Sequence, residues 1–503
     1  LTSGVPDRKI GWQSYVRKRL PMAIVILWRQ RFMSYSAKQL IIMVLMLLQL
    51  HPGQAVGLQI QELDENLKPV QTTADQTNLA DFRLEDAIKI ALKANKSIIS
   101  AEMAYKKAEA QVLQARSITG LKLTGNLTHT RLDEITSADF GGQKIALSKL
   151  DNQKIWLELS QPLFLGLKDR AAIRSSRLGR EISEALLKLT RQQTILAASI
   201  GFYSWLYARE VAEVSQMNLN LAQAHFDLVK RRFNAQQASK YELLRAEVRL
   251  VQTQSDLLKE KNDAELTRLE LLKLLSIPLN SDLETSMKLE PDLFTADLEK
   301  DLKTAEATRE DLKIRALEKK LADQAVIAAR GEKQPTVALF GQYGSENPSS
   351  KSGFGSLQRK DYWLAGLSVN LPFIDAGLSS GRLLEAKSDM ALSQNNFENS
   401  LEMAQLEIRK AALNLNTTEQ IVSAQRQNLK QAEETMRLAK VRYENGMFTQ
   451  VDLFDAETAW SNAHLMYIQS VFLHHQARLS YLLATGKLGN NIMTSADNTK
   501  ENL

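Results

Sequence analysis

The sequence predicts a mainly helical protein that also builds a transmembrane β-barrel, and three observations carry that prediction. Two long stretches, 163–277 and 373–503, contain no proline. A block of sequence recurs 210 positions later. Four segments alternate apolar and polar residues with period two, as half-covered strands do.

At the start of the chain, residues 1–55 hold eight Lys/Arg (Arg8, Lys9, Arg17, Lys18, Arg19, Arg29, Arg31, Lys38) against Asp7, a balance of +7. The whole chain carries +6, so residues 56–503 sit at −1 and require no phosphate partner. Nucleic acid is therefore not an expected ligand. Leu40–Leu50 is a short apolar run, followed by Pro52-Gly53 and a small-x-small site at Gly53-Gln54-Ala55. Basic flank, short apolar core and cleavage site together read as a secretory signal peptide, since a bilayer-spanning helix needs about twenty apolar residues. Met33 is the expected start, with a mature chain beginning near Val56. The chain has no cysteine, which excludes a disulfide scaffold, a zinc–thiolate cluster and a thiol nucleophile.

The repeat sets the organisation. Residues 228–247, LVKRRFNAQQASKYELLRAE, align without a gap on 438–457, LAKVRYENGMFTQVDLFDAE. The same shift brings Pro162 to Pro372, and a slightly larger one brings Ala115-Arg116 to Ala329-Arg330. Each unit reads helix, strand, loop, strand, long helix, tight turn, helix. Proline is excluded from helix interiors by its ring and its missing N–H, so Lys168–Phe233 and Leu378–Tyr443 are expected as helices of about 100 Å at 1.5 Å per residue. In the first, residues 178, 182, 185, 189, 196, 200, 203 and 207 keep a coiled-coil spacing, with Gln192 as the gap. Helices this long bury their apolar faces only by pairing side by side.

Strands are expected at Thr119–Thr130, Ile155–Ser160, Thr336–Tyr343 and Trp363–Leu371, at most about the nine to eleven residues that a tilted strand needs to cross a bilayer. Loops of about twenty residues are expected to join each pair. Trp156, Phe164, Tyr362, Trp363 and Phe373 near the strand ends suggest interfacial girdles. Four strands cannot close a barrel, because the smallest have eight, so several copies must share one. The expected boundaries are 1–55 upstream sequence and signal peptide, 56–275 first repeat with its β-hairpin at 119–162, and 276–302 an equatorial connector. The second repeat spans 303–487 with its β-hairpin at 336–372, and 488–503 form a C-terminal tail.

With that order of elements, the sequence resembles the TolC-like outer membrane efflux protein family. The resemblance is carried by NGMFTQVDLFDAETAW at 445–460, by Leu84-Glu85-Asp86-Ala87 leading to Asn95, by Leu159-Ser160-Gln161-Pro162-Leu163-Phe164, and by Val369-Asn370-Leu371-Pro372-Phe373. It implies a homotrimer whose long coiled-coil helices form an α-barrel and whose four strands per protomer make a shared twelve-stranded β-barrel in the outer membrane. It further implies an exit duct reaching into the periplasm, fed by an inner-membrane pump through a periplasmic adaptor in a tripartite efflux or type I secretion system. The alternative of another class is a soluble periplasmic coiled-coil scaffold or adaptor. Drugs, metal ions and secreted proteins all remain open as cargo.

The turn of the second helical hairpin is the expected gate. Asn445-Gly446 supplies the left-handed backbone of a tight turn, and Thr449 is placed to cap the following helix. Asp452 and Asp455 lie three apart on one face and would make two acidic rings in an oligomer, a pore constriction that attracts cations. The same acids also suit a helix N-terminus on purely local grounds. Tyr443, Gly446 and Glu242 are the expected hinge, with Tyr443 and Glu242 linking neighbouring hairpins. Phe448 stands where some relatives carry a basic residue. The first repeat has Glu242 and Arg245 where the second has Asp452 and Asp455, so the two hairpins are not interchangeable. No P-loop, HExxH or GxGxxG is present, so no enzyme and no cofactor are expected. His474 and His475 are adjacent, about 100° apart on a helix, and form no clean chelate.

Overall fold

The structure, a computed structural model, describes residues 81–489 apart from 136, 147–149, 293, 295 and 347–359. The signal peptide at 1–55, the mature start near Val56 and most of the C-terminal tail lie outside the described residues.

Both repeats open on a helix that breaks once. In the first, α1 (Leu84–Ala94) stops at Asn95, whose extended backbone (φ −67°, ψ 126°) redirects the chain. The Asn95 side chain then accepts from the Ser97 N–H at 2.8 Å and caps α2 (Lys96–Ser117). In the second, α5 (Leu298–Thr308) stops at Arg309 (φ −81°, ψ 118°) before α6 (Glu310–Arg330). The sequence predicts one helix in each place. Neither break is marked by Pro or Gly.

The long helices α3 (Lys168–Asn234) and α7 (Leu378–Glu444) have 67 residues each, and their partners α4 (Lys240–Leu274) and α8 (Gln450–Ala484) have 35 each. Every boundary repeats at the 210-residue shift. Even the left-handed residues that admit the chain into the long helices correspond, Leu167 (φ 68°) and Gly377 (φ 91°). In the half nearer the tips the helices lie side by side in the order α4–α3–α8–α7, and in the other half α2 and α6 flank α3, with α7 beyond α6.

The core is concentrated where the two halves meet. Phe82, Ala198, Phe202, Leu206, Leu271, Leu482 and Leu488 are buried there with Leu283 and Leu289 of the irregular segment between α4 and α5. Burying a side chain such as Phe202 or Leu206 contributes about 1.5–3 kcal/mol. Around residue 200 of α3 the buried positions are 195, 198, 202 and 206 together with the predicted 203, while the predicted 196, 200 and 207 are only partly buried. Leu196, Ile200 and Tyr207 pack beside them, because α3 is there covered by α1, α4, α8 and the connector and its apolar stripe widens. Polar clamps hold the connector: Arg209 donates to the carbonyls of Thr285 (2.6 Å) and Met287 (2.7 Å), His474 to Asp292 (3.1 Å) and His475 to Glu290 (2.8 Å). The adjacent histidines thus each hold a separate carbonyl. No cluster able to hold a metal occurs among the described residues.

One antiparallel sheet has the order β1 (Lys122–Arg131), β4 (Asp151–Leu165), β5 (Thr336–Glu346), β6 (Lys360–Asn370). Three features differ from the sequence reading. First, β4 has 15 residues and runs through Pro162, which the sequence places after the strand. The register shifts there between Pro162 and Phe164, and β1 has already ended opposite Ser160, so a residue without an N–H is tolerated. Second, the first loop contains its own hairpin, β2 (Ser137–Phe140) and β3 (Gln143–Ala146), turned at Gly141 (φ 66°) and Gly142 (φ 88°) as a two-residue hairpin requires.

Third, the girdle aromatics divide between the two faces. Register places Leu123, Leu127, Ile155, Leu157, Tyr343, Trp363 and Leu367 on one face, where all are exposed. The other face carries Lys122, Thr124, Asn126, Lys154, Glu158, Gln342, and with them Trp156 and Tyr362. There the Lys154 ammonium lies 5.2 Å from the Trp156 ring and 5.4 Å from the Tyr362 ring, and 3.4 Å from Glu346. An exposed apolar face backed by a mainly polar one is the patterning of strands in a membrane barrel wall.

Candidate functional site at the helical tip

The two helical hairpins turn within five residues each, at Ala235–Ser239 and Asn445–Thr449. Both turns contain one left-handed residue, Gln236 (φ 60°) and Gly446 (φ 74°), 210 apart. Each following helix opens with a reciprocal capping box. In α4, Glu242 accepts from the Ser239 N–H at 2.7 Å while Ser239 accepts from the Glu242 N–H at 3.2 Å. In α8, Asp452 accepts from the Thr449 N–H at 2.8 Å and the Thr449 hydroxyl at 2.6 Å. Those hydrogen bonds hold the Asp452 carboxyl below the usual carboxylate range, so it is ionised at neutral pH. Asp452 and Asp455 are both exposed, one turn apart on the same side of α8.

Tyr443 and Glu242 do not meet as hydrogen-bond partners within the chain. Tyr443 is buried and its ring lies 5.1 Å from the Arg232 guanidinium of α3 and 5.2 Å from His225. Burial raises the Tyr443 pKa. Glu242 spends its carboxylate on its own cap and offers its backbone carbonyl to the second hairpin instead. That carbonyl accepts from the Gln450 side-chain amide at 3.2 Å, and the same nitrogen lies 3.1 Å from His225 Nε2. Around this pair stand Phe454, 4.9 Å from the His225 ring, and Arg245, 5.6 Å from Phe454. Phe448 is covered by Arg442 at 5.1 Å.

The family profile for outer membrane efflux proteins matches residues 87–276 and 302–485. The chain belongs to that family. By that membership it is an outer membrane efflux protein. It is 25% identical over 259 residues to nodulation protein T of Rhizobium leguminosarum bv. trifolii, an alignment covering 51% of this chain and 54% of the relative. It is 23% identical over 285 residues to the probable efflux pump outer membrane protein TtgC of Pseudomonas putida, covering 55% and 56%. The chain thus spans about half the length of these curated relatives. Its fold is similar to the Campylobacter jejuni CmeC outer membrane channel, with a TM-score of 0.71 at 21% identity over 83% of this chain and 90% of that one.

In this efflux protein the residues that bring the two hairpins together at the tip are His225, Arg232, Arg245 and Gln450, none of which the sequence singles out for that role. His225 is one of six histidines and Gln450 aligns with Lys240, so no repeat signal marks either. The contact spans 225 positions and exists only once the hairpins are side by side.

Proposed function

We propose that this outer membrane efflux protein works as the exit duct of a tripartite efflux or type I secretion system, closed as a homotrimer. In this reading an inner-membrane pump supplies the energy and a periplasmic adaptor joins the pump to the helical tips. Cargo passes along the helical tunnel and out through a twelve-stranded barrel set in outer membrane lipid.

The observation that carries the reading is that each layer ends in the same two open edges. The sheet begins at β1 and finishes at β6, with no further strand beyond either among the described residues. The helical layer begins at α4 near the tips, or α2 further up, and finishes at α7. The outer edges of the helices keep apolar stripes uncovered: Tyr241, Val248 and Leu258 of α4 are 71%, 70% and 71% exposed, and Leu384 and Leu413 of α7 are 68% and 69%. A first-repeat edge that fits a second-repeat edge is a head-to-tail interface, which closes into a ring. Three copies satisfy both the twelve strands and the helices. Asp452 and Asp455 then line the tip as acidic rings that draw in cations and discourage anions. Gly446 allows the turn to move, and Tyr443 and Glu242 sit on the two hairpins that must separate.

Native mass spectrometry of detergent-extracted protein and conductance in planar bilayers test this together. The expected result is a three-chain assembly giving cation-preferring channels whose preference falls in Asp452→Asn/Asp455→Asn. A single chain that conducts nothing overturns the proposal.

A further inference from the structure

At the tip, the hydrogen-bond roles of Gln450 and His225 are fixed by a third group. The Glu242 carbonyl can only accept, so the Gln450 atom 3.2 Å from it is the amide nitrogen. That nitrogen is also the atom facing His225 Nε2 at 3.1 Å. His225 Nε2 must therefore be the unprotonated nitrogen, accepting the second N–H of the amide. One amide thus ties three helices: α8 through Gln450, α4 through Glu242 and α3 through His225.

We propose that Gln450 and His225 are positioning residues that hold the two hairpins of each protomer together, and that protonation of His225 releases them. A proton on Nε2 sets a donor against the amide donors. Rotating the amide to present its oxygen to the imidazolium sets that oxygen against the Glu242 carbonyl instead. Neither orientation satisfies both partners, so the tether holds only while the ring is neutral.

The surroundings offer the imidazolium no carboxylate. On its own helix α3 the charge that acts on it is Arg232; α4 contributes Arg245 and Glu242, whose carboxylate is engaged on the Ser239 N–H. Helix α7 contributes Tyr443 and α8 the Phe454 ring. The buried Glu457, two turns along α8 from Gln450, answers to Arg249 and Lys440. Burial first, and Arg232 second, push His225 down from 6.5 to about 4. When the hairpins part, the ring gains water and returns to its ordinary range. The separated state therefore gains on the docked state as pH falls from 6.5, until both forms are protonated below about 4.

This inference rests on the duct reading for its meaning, but its test does not need conduction. The chain has no cysteine, so Gln237→Cys and Met447→Cys, both exposed at the two turns, place one label pair per protomer. Distances are read by pulsed electron resonance on the full chain in detergent. Between pH 7.5 and pH 5 the ratio of separated to docked tips is expected to rise about thirty-fold. His225→Gln removes the titration and should flatten the response. Gln450→Leu should part the tips already at pH 7.5. Asp452→Asn/Asp455→Asn should keep the acid response, which separates the lock from the acidic rings. An unchanged distance distribution in the unsubstituted background, or an acid response that persists in His225→Gln, overturns the proposal. Absence of channels in bilayers would count against the duct reading alone.

Discussion

Gly166 and Gly331, one from each repeat, meet backbone to backbone where the sheet passes into the helices. A Cβ on Gly166 would lie 2.5 Å from the Gly331 carbonyl oxygen, and one on Gly331 would press on the Gly166 carbonyl in return. Gly331 has an ordinary helical φ of −66°, so the requirement there is space rather than conformation. Gly331→Ala is expected to lower stability by about 1–3 kcal/mol through overpacking. Gly179→Ala in α3, where nothing lies within 4 Å of the added carbon, should instead raise it by about 0.5–1 kcal/mol. Thermal unfolding followed by circular dichroism separates the two; equal effects would refute the close approach.

Much of this arrangement is legible in the sequence. The absence of proline marks α3, α4, α7 and α8, and the 210-residue shift reproduces every one of their boundaries. Period-two alternation locates β1, β5 and β6, and Thr449 with Asp452 is readable as a cap because capping is local. What escapes is decided by neighbours. Asn95 and Arg309 break helices without a breaker residue, and Pro162 enters a strand because β1 has ended beside it. Tyr362 lies on the polar face with Trp156 because the register through Gly344 puts it there. The Gln450–His225 contact depends on how two hairpins lie against each other, which no local pattern encodes.

At the far end of α8, the buried Tyr481 hydroxyl donates to Asp301 at 2.7 Å, and Lys487 pairs with the other oxygen of the same buried carboxylate. Tyr481→Phe takes the donor away and leaves that oxygen without it in a water-poor site. A loss of about 1–3 kcal/mol is expected in denaturant unfolding. Unchanged stability would mean that water reaches Asp301.

The His475 ring stacks on Tyr203 at 4.1 Å and gives its Nε2–H to Glu290, leaving Nδ1 buried without a partner. Burial pushes its pKa down to about 4. A folded value below the unfolded one means that the neutral ring's contribution is complete above about 6.5 and is lost as pH falls towards 4. Lowering the pH from 7 to 5 should cost the unsubstituted protein about 2 kcal/mol more than His475→Gln. Melting temperatures of both proteins at the two values check this, and parallel losses would exclude the histidine.

The exposed stripe of α4 offers a test of the ring that spares the single chain. Val248→Glu/Leu258→Glu places two charges on positions that touch nothing within the protomer's core. Helical content should be preserved while the assembled species disappears from native mass spectra. If assembly persists, α4 is not the contact edge.

The bare margins of β1 and β6 also bear on how the protein reaches its destination. In hydrocarbon each unmatched peptide group costs several kcal/mol, so a solitary polypeptide cannot rest there as an open ribbon. In the proposed ring, entry into lipid waits for encounter with sister chains, and the yield of finished pores should climb more steeply than the supply of polypeptide. Dilution, rather than any flaw in the individual chain, is then enough to strand it outside the bilayer.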